Sequence, residues 1–237
     1  MEYNREMNSM IKTIQDHATL HGGDPISPRV VHAIKQVPRH KFVTTNPYSD
    51  HPVHIGHNQT ISQPFIVAYM TDLLNLQPLH KVLEIGMGSG YQAAVLSELS
   101  HEIYTVERIP ELAEQTKALL EQLEYENIKI KVGNGVEGWR EHAPYDRIIV
   151  TATASDLIPP QMLIDQLVDG GKMIIPMKRS GEQKKIMATT KIHATNTITH
   201  RSITIPYEEL VLVTKTGKTY TEKSLIGVRF VPLVNAV

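Results

Sequence analysis

The residues best suited to chemistry lie in one short run, Val82-Leu83-Glu84-Ile85-Gly86-Met87-Gly88-Ser89-Gly90-Tyr91, where an apolar strand gives way to a helix. Glycines at 86, 88 and 90 permit a tight turn and leave the main chain open to a bulky ligand, since no β-carbon stands in the way. Spacing narrows the choice of ligand. A dinucleotide fingerprint G-x-G-x-x-G needs glycine at 91, where Tyr91 stands, and a G-x-x-x-x-G-K-[ST] phosphate loop is absent, so pyrophosphate is not the expected guest. Glu84 puts a carboxylate just ahead of the turn, a suitable place for a ligand with a cationic amine and a sulfonium, and S-adenosylmethionine has both. Glu107 ends the next apolar strand 23 residues further on, as does the acidic residue that accepts ribose hydroxyls in such folds. Gly133-Asn134-Gly135 follows a third strand at the same sheet edge. Asn134 there has two readings, a hydrogen bond to an adenine edge or one half of an ordinary Asn-Gly turn.

Other chemistries find less support. With no cysteine in 237 residues, disulfides, thiolate metal sites and a cysteine nucleophile are excluded. His17 and His21 have the i, i+4 spacing of metal ligands but no third ligand, and read as two exposed helix histidines; no metal site is expected. Ser89 is not a nucleophile elbow, because G-x-S-x-G needs glycine at 87. His57 has two readings, a base or substrate contact, or the commoner structural or solvated loop histidine.

The elements that must position these residues follow from periodicity. Met7, Met10, Ile11, Ile14 and Ala18 predict an amphipathic helix stopped at Gly22-Gly23. Ser27-Pro28 opens a second helix with Val30, Val31, Ile34 and Val37 inward, ended by Pro38. Residues 39–61 read as an irregular functional loop, and Ser62 as the start of a third helix with Pro64 in its first turn. From Lys81 onward short apolar strands alternate with helices, the pattern of a parallel sheet with crossovers. Strands are expected at 81–85, 102–106, 128–132, 145–150 and 172–176, and helices at 91–99 and 110–124. Beyond 184, alternation at Ile186, Ala188, Thr190 and Ile192, then at 203–214 and 226–233, predicts added strands. The expected architecture is one doubly wound α/β domain over 1–237: a helical and substrate-loop extension at 1–76, a cofactor-binding core at 77–180 and C-terminal strands at 181–237.

Composition sets the partners. Lys and Arg number 24 against 25 Asp and Glu, a formal charge of −1, so no basic field exists to hold nucleic acid or an anionic membrane. The polar start, Met1 to Asp16, lacks the apolar core of a signal peptide, and a cytoplasmic protein is the default expectation.

Four stretches carry a family resemblance: Val37-Pro38-Arg39-His40-Lys41-Phe42-Val43, Ile55-Gly56-His57-Asn58-Gln59-Thr60-Ile61-Ser62-Gln63-Pro64, the glycine turn extended through Gln92-Ala93-Ala94-Val95-Leu96, and Pro144-Tyr145-Asp146-Arg147-Ile148-Ile149-Val150-Thr151-Ala152. Smaller matches lie at Ile158-Pro159, Gly170-Gly171, Ile175-Pro176 and Phe230-Val231-Pro232-Leu233. With these the chain resembles the protein-L-isoaspartate O-methyltransferases, and Thr60-Ile61-Ser62 is the specific signature. The resemblance implies a class I methyltransferase, Rossmann-like, that methylates the free α-carboxyl of L-isoaspartyl residues in damaged proteins from S-adenosylmethionine, releasing S-adenosylhomocysteine and starting repair. It implies cofactor contacts at Glu84, Gly86, Gly88, Gly90, Glu107, Asn134 and Gly135, catalytic roles for Ser62 and Thr60, and substrate contacts at Ile61, His57 and Val231. Three departures stand out, one of them Asn58 where the family often has Gly. Asn134 replaces the family's usual Asp, keeping an acceptor but losing charge, and Met87 replaces a smaller residue.

A carboxyl of ordinary pKa, about 4, is already ionised at neutral pH, so methylating it needs no general base. It needs in-line placement and exclusion of water. Ser62 and Thr60 are expected to hold the carboxylate, with free N–H groups of a helix beginning near Ser62; the alternative is that Ser62 only caps that helix. Three competing readings remain: the same chemistry on a biosynthetic peptide or small molecule, a cofactor-binding protein that has lost catalysis, and a nicotinamide oxidoreductase, against which Tyr91 argues.

Overall fold

The computed structural model describes residues 2–21, 23–154, 158–179 and 207–233. Chain order begins with α1 (Glu2–Leu20) and α2 (Pro28–Gln36), then a 3-10 turn (Arg39–Lys41), β1 (Val53–Gly56), β2 (Gln59–Ile61) and α3 (Pro64–Leu73). The core follows as β3 (Lys81–Ile85), α4 (Tyr91–Ser97), β4 (Glu102–Glu107), α5 (Pro110–Gln122), β5 (Ile128–Val132), 3-10 turns at Gly135–Glu137 and Arg140–His142, and β6 (Tyr145–Val150). β7 (Thr153–Ala154), α6 (Gln161–Asp165), β8 (Leu167–Arg179), β9 (Tyr207–Thr216), β10 (Thr219–Val228) and β11 (Pro232–Leu233) complete it.

The main sheet runs β10-β9-β8-β6-β3-β4-β5, with β7 joined to β8 and β11. β8, β6, β3, β4 and β5 are parallel, and β9 and β10 add an antiparallel ribbon on one edge. All five expected parallel strands form. The last is longer than its apolar stretch, because it also takes in Leu167, which pairs with Tyr145, and the Asp169-Gly170-Gly171 region across a register shift. The expected strand at 226–233 divides instead: β10 begins at Thr219 and ends at Val228, and β11 pairs elsewhere, with β7. The alternation at 186–192 and at 203–206 lies outside the described residues.

Alternate strand residues sort into two layers, as a pleat requires. Val82, Ile103, Ile149 and Ile174 pack toward α1–α5. Leu83, Ile85, Tyr104, Ile148, Val150 and Met173 pack toward α6 and Trp139. β3 is buried on both faces, which is why it reads as an unbroken apolar run around Glu84. From β3 the chain winds outward to β5 and then crosses back to β6 on the other side of β3. That reversal is the topological switch point, where open α/β sheets bind ligands beyond their strand ends.

The stretch 39–61 departs from the irregular loop expected. It carries a 3-10 turn and a β-hairpin, β1 against β2, whose tip residues His57 and Asn58 take φ of 50° and 55°. Two strands of four and three residues, with mixed exposure and a turn lacking glycine at either tip position, leave little periodic signal. α3 begins at Pro64, with Gln63 as its N-cap, whose own side chain makes no capping bond, so Ser62 does not cap it.

Candidate active site at the sheet switch point

The glycine turn follows β3 and is pinned from three directions. The Gly86 N–H donates to the Val106 carbonyl at 2.9 Å, and the Gly88 N–H donates to Glu107 Oε2 at 2.9 Å. From the end of β6, the Thr151 hydroxyl donates to the Gly86 carbonyl at 2.6 Å; from α5, the Thr116 hydroxyl donates to the Gly88 carbonyl at 2.6 Å. Gly86 and Gly90 have φ of 92° and 82°, and added β-carbons would lie 2.5 Å from Thr151 Oγ1 and 2.7 Å from Thr116 Cγ2. Glycine at 90 therefore serves close packing of α5 on the turn, and Gly90 does not line the cleft beyond it.

That cleft holds about 530 Å³ of empty space, part of it open to solvent. Gly86, Gly88, Val106, Glu107 and Arg108 form its floor, Gly135, Thr151 and Ala152 one side, Gln59 and Thr60 the lip, and Val231 to Leu233 the far wall. Thr60, Gly86, Gly88, Glu107, Gly135 and Val231, distant in sequence, meet here. Each Glu107 oxygen accepts one N–H, from Gly88 at 2.9 Å and from Ile109 at 3.0 Å, which leaves lone pairs for further donors. Gly135 is required by contact, since a β-carbon would lie 2.5 Å from Ile85 Cγ2. Val231 arrives because β11 pairs with β7 and the Thr153 N–H donates to the Val231 carbonyl at 2.8 Å.

Other expected residues lie elsewhere. Glu84 is fully buried behind the turn, not in the cleft wall. One of its oxygens accepts the Thr105 hydroxyl and the other, Oε1, has no partner. Burial pushes its carboxyl up to about 8, against the Thr105 hydrogen bond, and the nearby Glu107 charge adds to the rise. Asn134 serves its own turn: Oδ1 accepts the Val136 N–H at 3.1 Å and Nδ2 donates to Glu137 at 3.3 Å. Ile61 is 3% exposed and packs in the core, so its side chain does not face a substrate. His57 is exposed at the hairpin tip and is not a lining residue. Ser62 is half-buried, two residues beyond the lip.

Sequence reasoning missed Thr151, whose hydroxyl bridges β6 to the turn, and Asp50. Asp50 Oδ1 accepts the Phe65 N–H at 2.8 Å, and Oδ2 accepts from Gln63 at 2.8 Å and lies 2.7 Å from His17 Nδ1. It caps α3 from a distant loop, so the first free N–H of that helix already has an anion. His17 and His21 are accordingly not a free pair: His17 meets Asp50, and both rings pack on Phe65 at 5.5 Å. Among the described residues no group of three metal-ligating side chains exists, and no helix is long and apolar enough to cross a membrane.

A glycine turn, an acidic strand end and a cleft at the switch point of such a sheet define a class I methyltransferase. The profile of the protein-L-isoaspartate(D-aspartate) O-methyltransferases matches residues 6–211. A protein-L-isoaspartate O-methyltransferase of Dictyoglomus thermophilum is 43% identical over 236 residues, 98% of this chain and 92% of that one. One of Parvibaculum lavamentivorans is 44% identical over 213 residues, 88% and 85% of the two chains. Among solved structures, a protein-L-isoaspartate O-methyltransferase aligns with TM-score 0.74 at 23% identity, over 97% of this chain and 66% of that one. A Plasmodium falciparum protein, described as a putative enzyme of this kind in complex with S-adenosyl-L-homocysteine, aligns with TM-score 0.70 at 26% identity, over 94% and 97%. The chain belongs to the protein-L-isoaspartate(D-aspartate) O-methyltransferase family.

Proposed function

We propose that this protein transfers a methyl group from S-adenosylmethionine to the free carboxyl of L-isoaspartyl residues in damaged proteins and peptides. The observation that carries the reading is the meeting, at one cleft, of bare main chain at Gly86, Gly88 and Gly135 with the Glu107 carboxylate and the Thr60 lip. These residues fit the cofactor. Glu107 retains lone pairs for ribose hydroxyls, and the glycines admit close approach. When bound, S-adenosylmethionine supplies an electrophilic methyl and departs as the neutral thioether.

The protein's part is placement. Ionised at neutral pH, the isoaspartyl carboxylate needs no base, only orientation and a dry approach. Gln59 and Thr60 shape the lip past which it enters, and Ser62 lies two residues beyond Thr60. The methyl ester released then cyclises to a succinimide without the protein, and hydrolysis returns part of it to aspartate.

Labelled methyl transfer to an isoaspartyl peptide, compared with its aspartyl twin, tests the proposal; equal labelling of both, or none of either, rejects it. Ser62→Ala should cut turnover far more than cofactor affinity, read by kinetics and by calorimetry.

A further inference from the structure

Arg39 lies in the 3-10 turn after α2 and is fully buried. Its guanidinium lies 4.7 Å from the centroid of the Tyr91 ring, and Nη2 donates to the Ser62 carbonyl at 2.7 Å. Nε and Nη1 have no hydrogen-bond partner, nor does the Tyr91 hydroxyl, and none of the ion pairs among the described residues includes Arg39. Three of the four unsatisfied buried side-chain atoms there thus belong to this one contact.

This is a poor arrangement for stability. A buried cation with no carboxylate in direct contact is costly even with the Asp50 charge near enough to favour it, and an apolar residue of like size often serves a core as well or better. Burial accordingly pulls the Arg39 guanidinium below its ordinary value. What the arrangement does supply is a bridge. Tyr91 follows Gly90 directly, at the exit of the glycine turn, and Ser62 follows the Thr60 lip. One planar group lies on the first and grips the main chain of the second, a geometry that the compact ammonium of lysine cannot reproduce.

We propose that Arg39 is a positioning residue for methyl transfer, fixing the Thr60–Ser62 segment against the glycine turn so that acceptor and donor meet at reacting distance. The inference rests on the proposed methyl transfer and deepens it. Asp50 holds the residues that follow, through Gln63 and the Phe65 N–H, so the chain is gripped both before and within the first turn of α3. Orientation-dependent reactions are sensitive to such supports, because a misplacement of about 1 Å can cost on the order of a hundredfold in rate.

The test uses the full chain, S-adenosylmethionine and an isoaspartyl peptide. Arg39→Met should melt no lower than the wild type and bind cofactor within twofold of it, yet lose at least tenfold in kcat, with Arg39→Lys between the two. Tyr91→Leu, which removes the ring under the guanidinium, should lower kcat, and Tyr91→Phe, which keeps it, should not. Wild-type kcat in folded Arg39→Met, a kcat loss matched by equal loss of cofactor affinity, or equal impairment of both Tyr91 variants would each overturn the proposal. Failure of both Arg39 variants to fold would also overturn it, making Arg39 part of the framework. A wild type that does not methylate the peptide would instead reject the proposed function, while leaving the melting and cofactor-binding comparison readable.

Discussion

The two walls of the cleft are built differently. The cofactor wall is a product of the sheet: its residues are strand ends and the turn after β3, and neighbouring strands lock it through main-chain bonds and two threonine hydroxyls. The acceptor wall is a short hairpin and the entry to α3, held by side chains from far away, Arg39 on Ser62 and Asp50 on Gln63 and Phe65. The first wall is fixed by what its residues lack, a β-carbon, and the second by what a few long side chains supply. Mutations should therefore separate binding from turnover.

The largest effect is expected at Gly86. Its alanine variant must take φ near 92° and bring a methyl to 2.5 Å from Thr151 Oγ1, so a loss of about 3 kcal/mol and of measurable cofactor uptake is expected, by denaturation and calorimetry. Intact binding would show that this wall is softer than its contacts imply.

Glu84 gives the next effect, through pH. The folded chain keeps its proton up to about pH 8, whereas an unfolded glutamate releases it near 4.5, so stability falls as pH rises through that window. The loss should be on the order of a few kcal/mol. Glu84→Gln should flatten the decline in denaturation curves taken between pH 5 and 8. An unchanged slope would place the titration elsewhere.

On the acceptor wall, Asp50→Ala removes the cap of α3 and the partner of Gln63 and His17. A cost of about 2 kcal/mol is expected, with turnover reduced and cofactor affinity kept. Equal losses of both would erase the distinction between the walls. The smallest effect is a gain. Asn58→Gly relieves a left-handed residue at the hairpin tip and should raise stability by about 0.5–1 kcal/mol in thermal melts.

The same difference decides what could be read in the sequence. β3, β4 and β6 are buried on both faces and bounded by glycine, proline or acidic residues, so composition alone marks them. Glu107 and the glycines were legible because their spacing follows from one strand-turn-helix unit. The hairpin at 53–61 was not, being short, half-exposed and turned by His57 and Asn58 rather than glycine. Asp50 and Arg39 carry no local signal, because their partners lie 15 and 23 residues away. Asn134 and Ile61 were legible as positions only: Asn134 bonds within its turn and Ile61 packs in the core. A family motif names positions, whereas the direction of each side chain depends on the turn and the pleat around it.

The pairing of β11 with β7 brings Val231, Pro232 and Leu233 to the far wall of the cleft, beside Thr151 and Ala152. A chain lacking residues 231–233 would keep the glycine bend and the parallel strands but leave the cleft without this side.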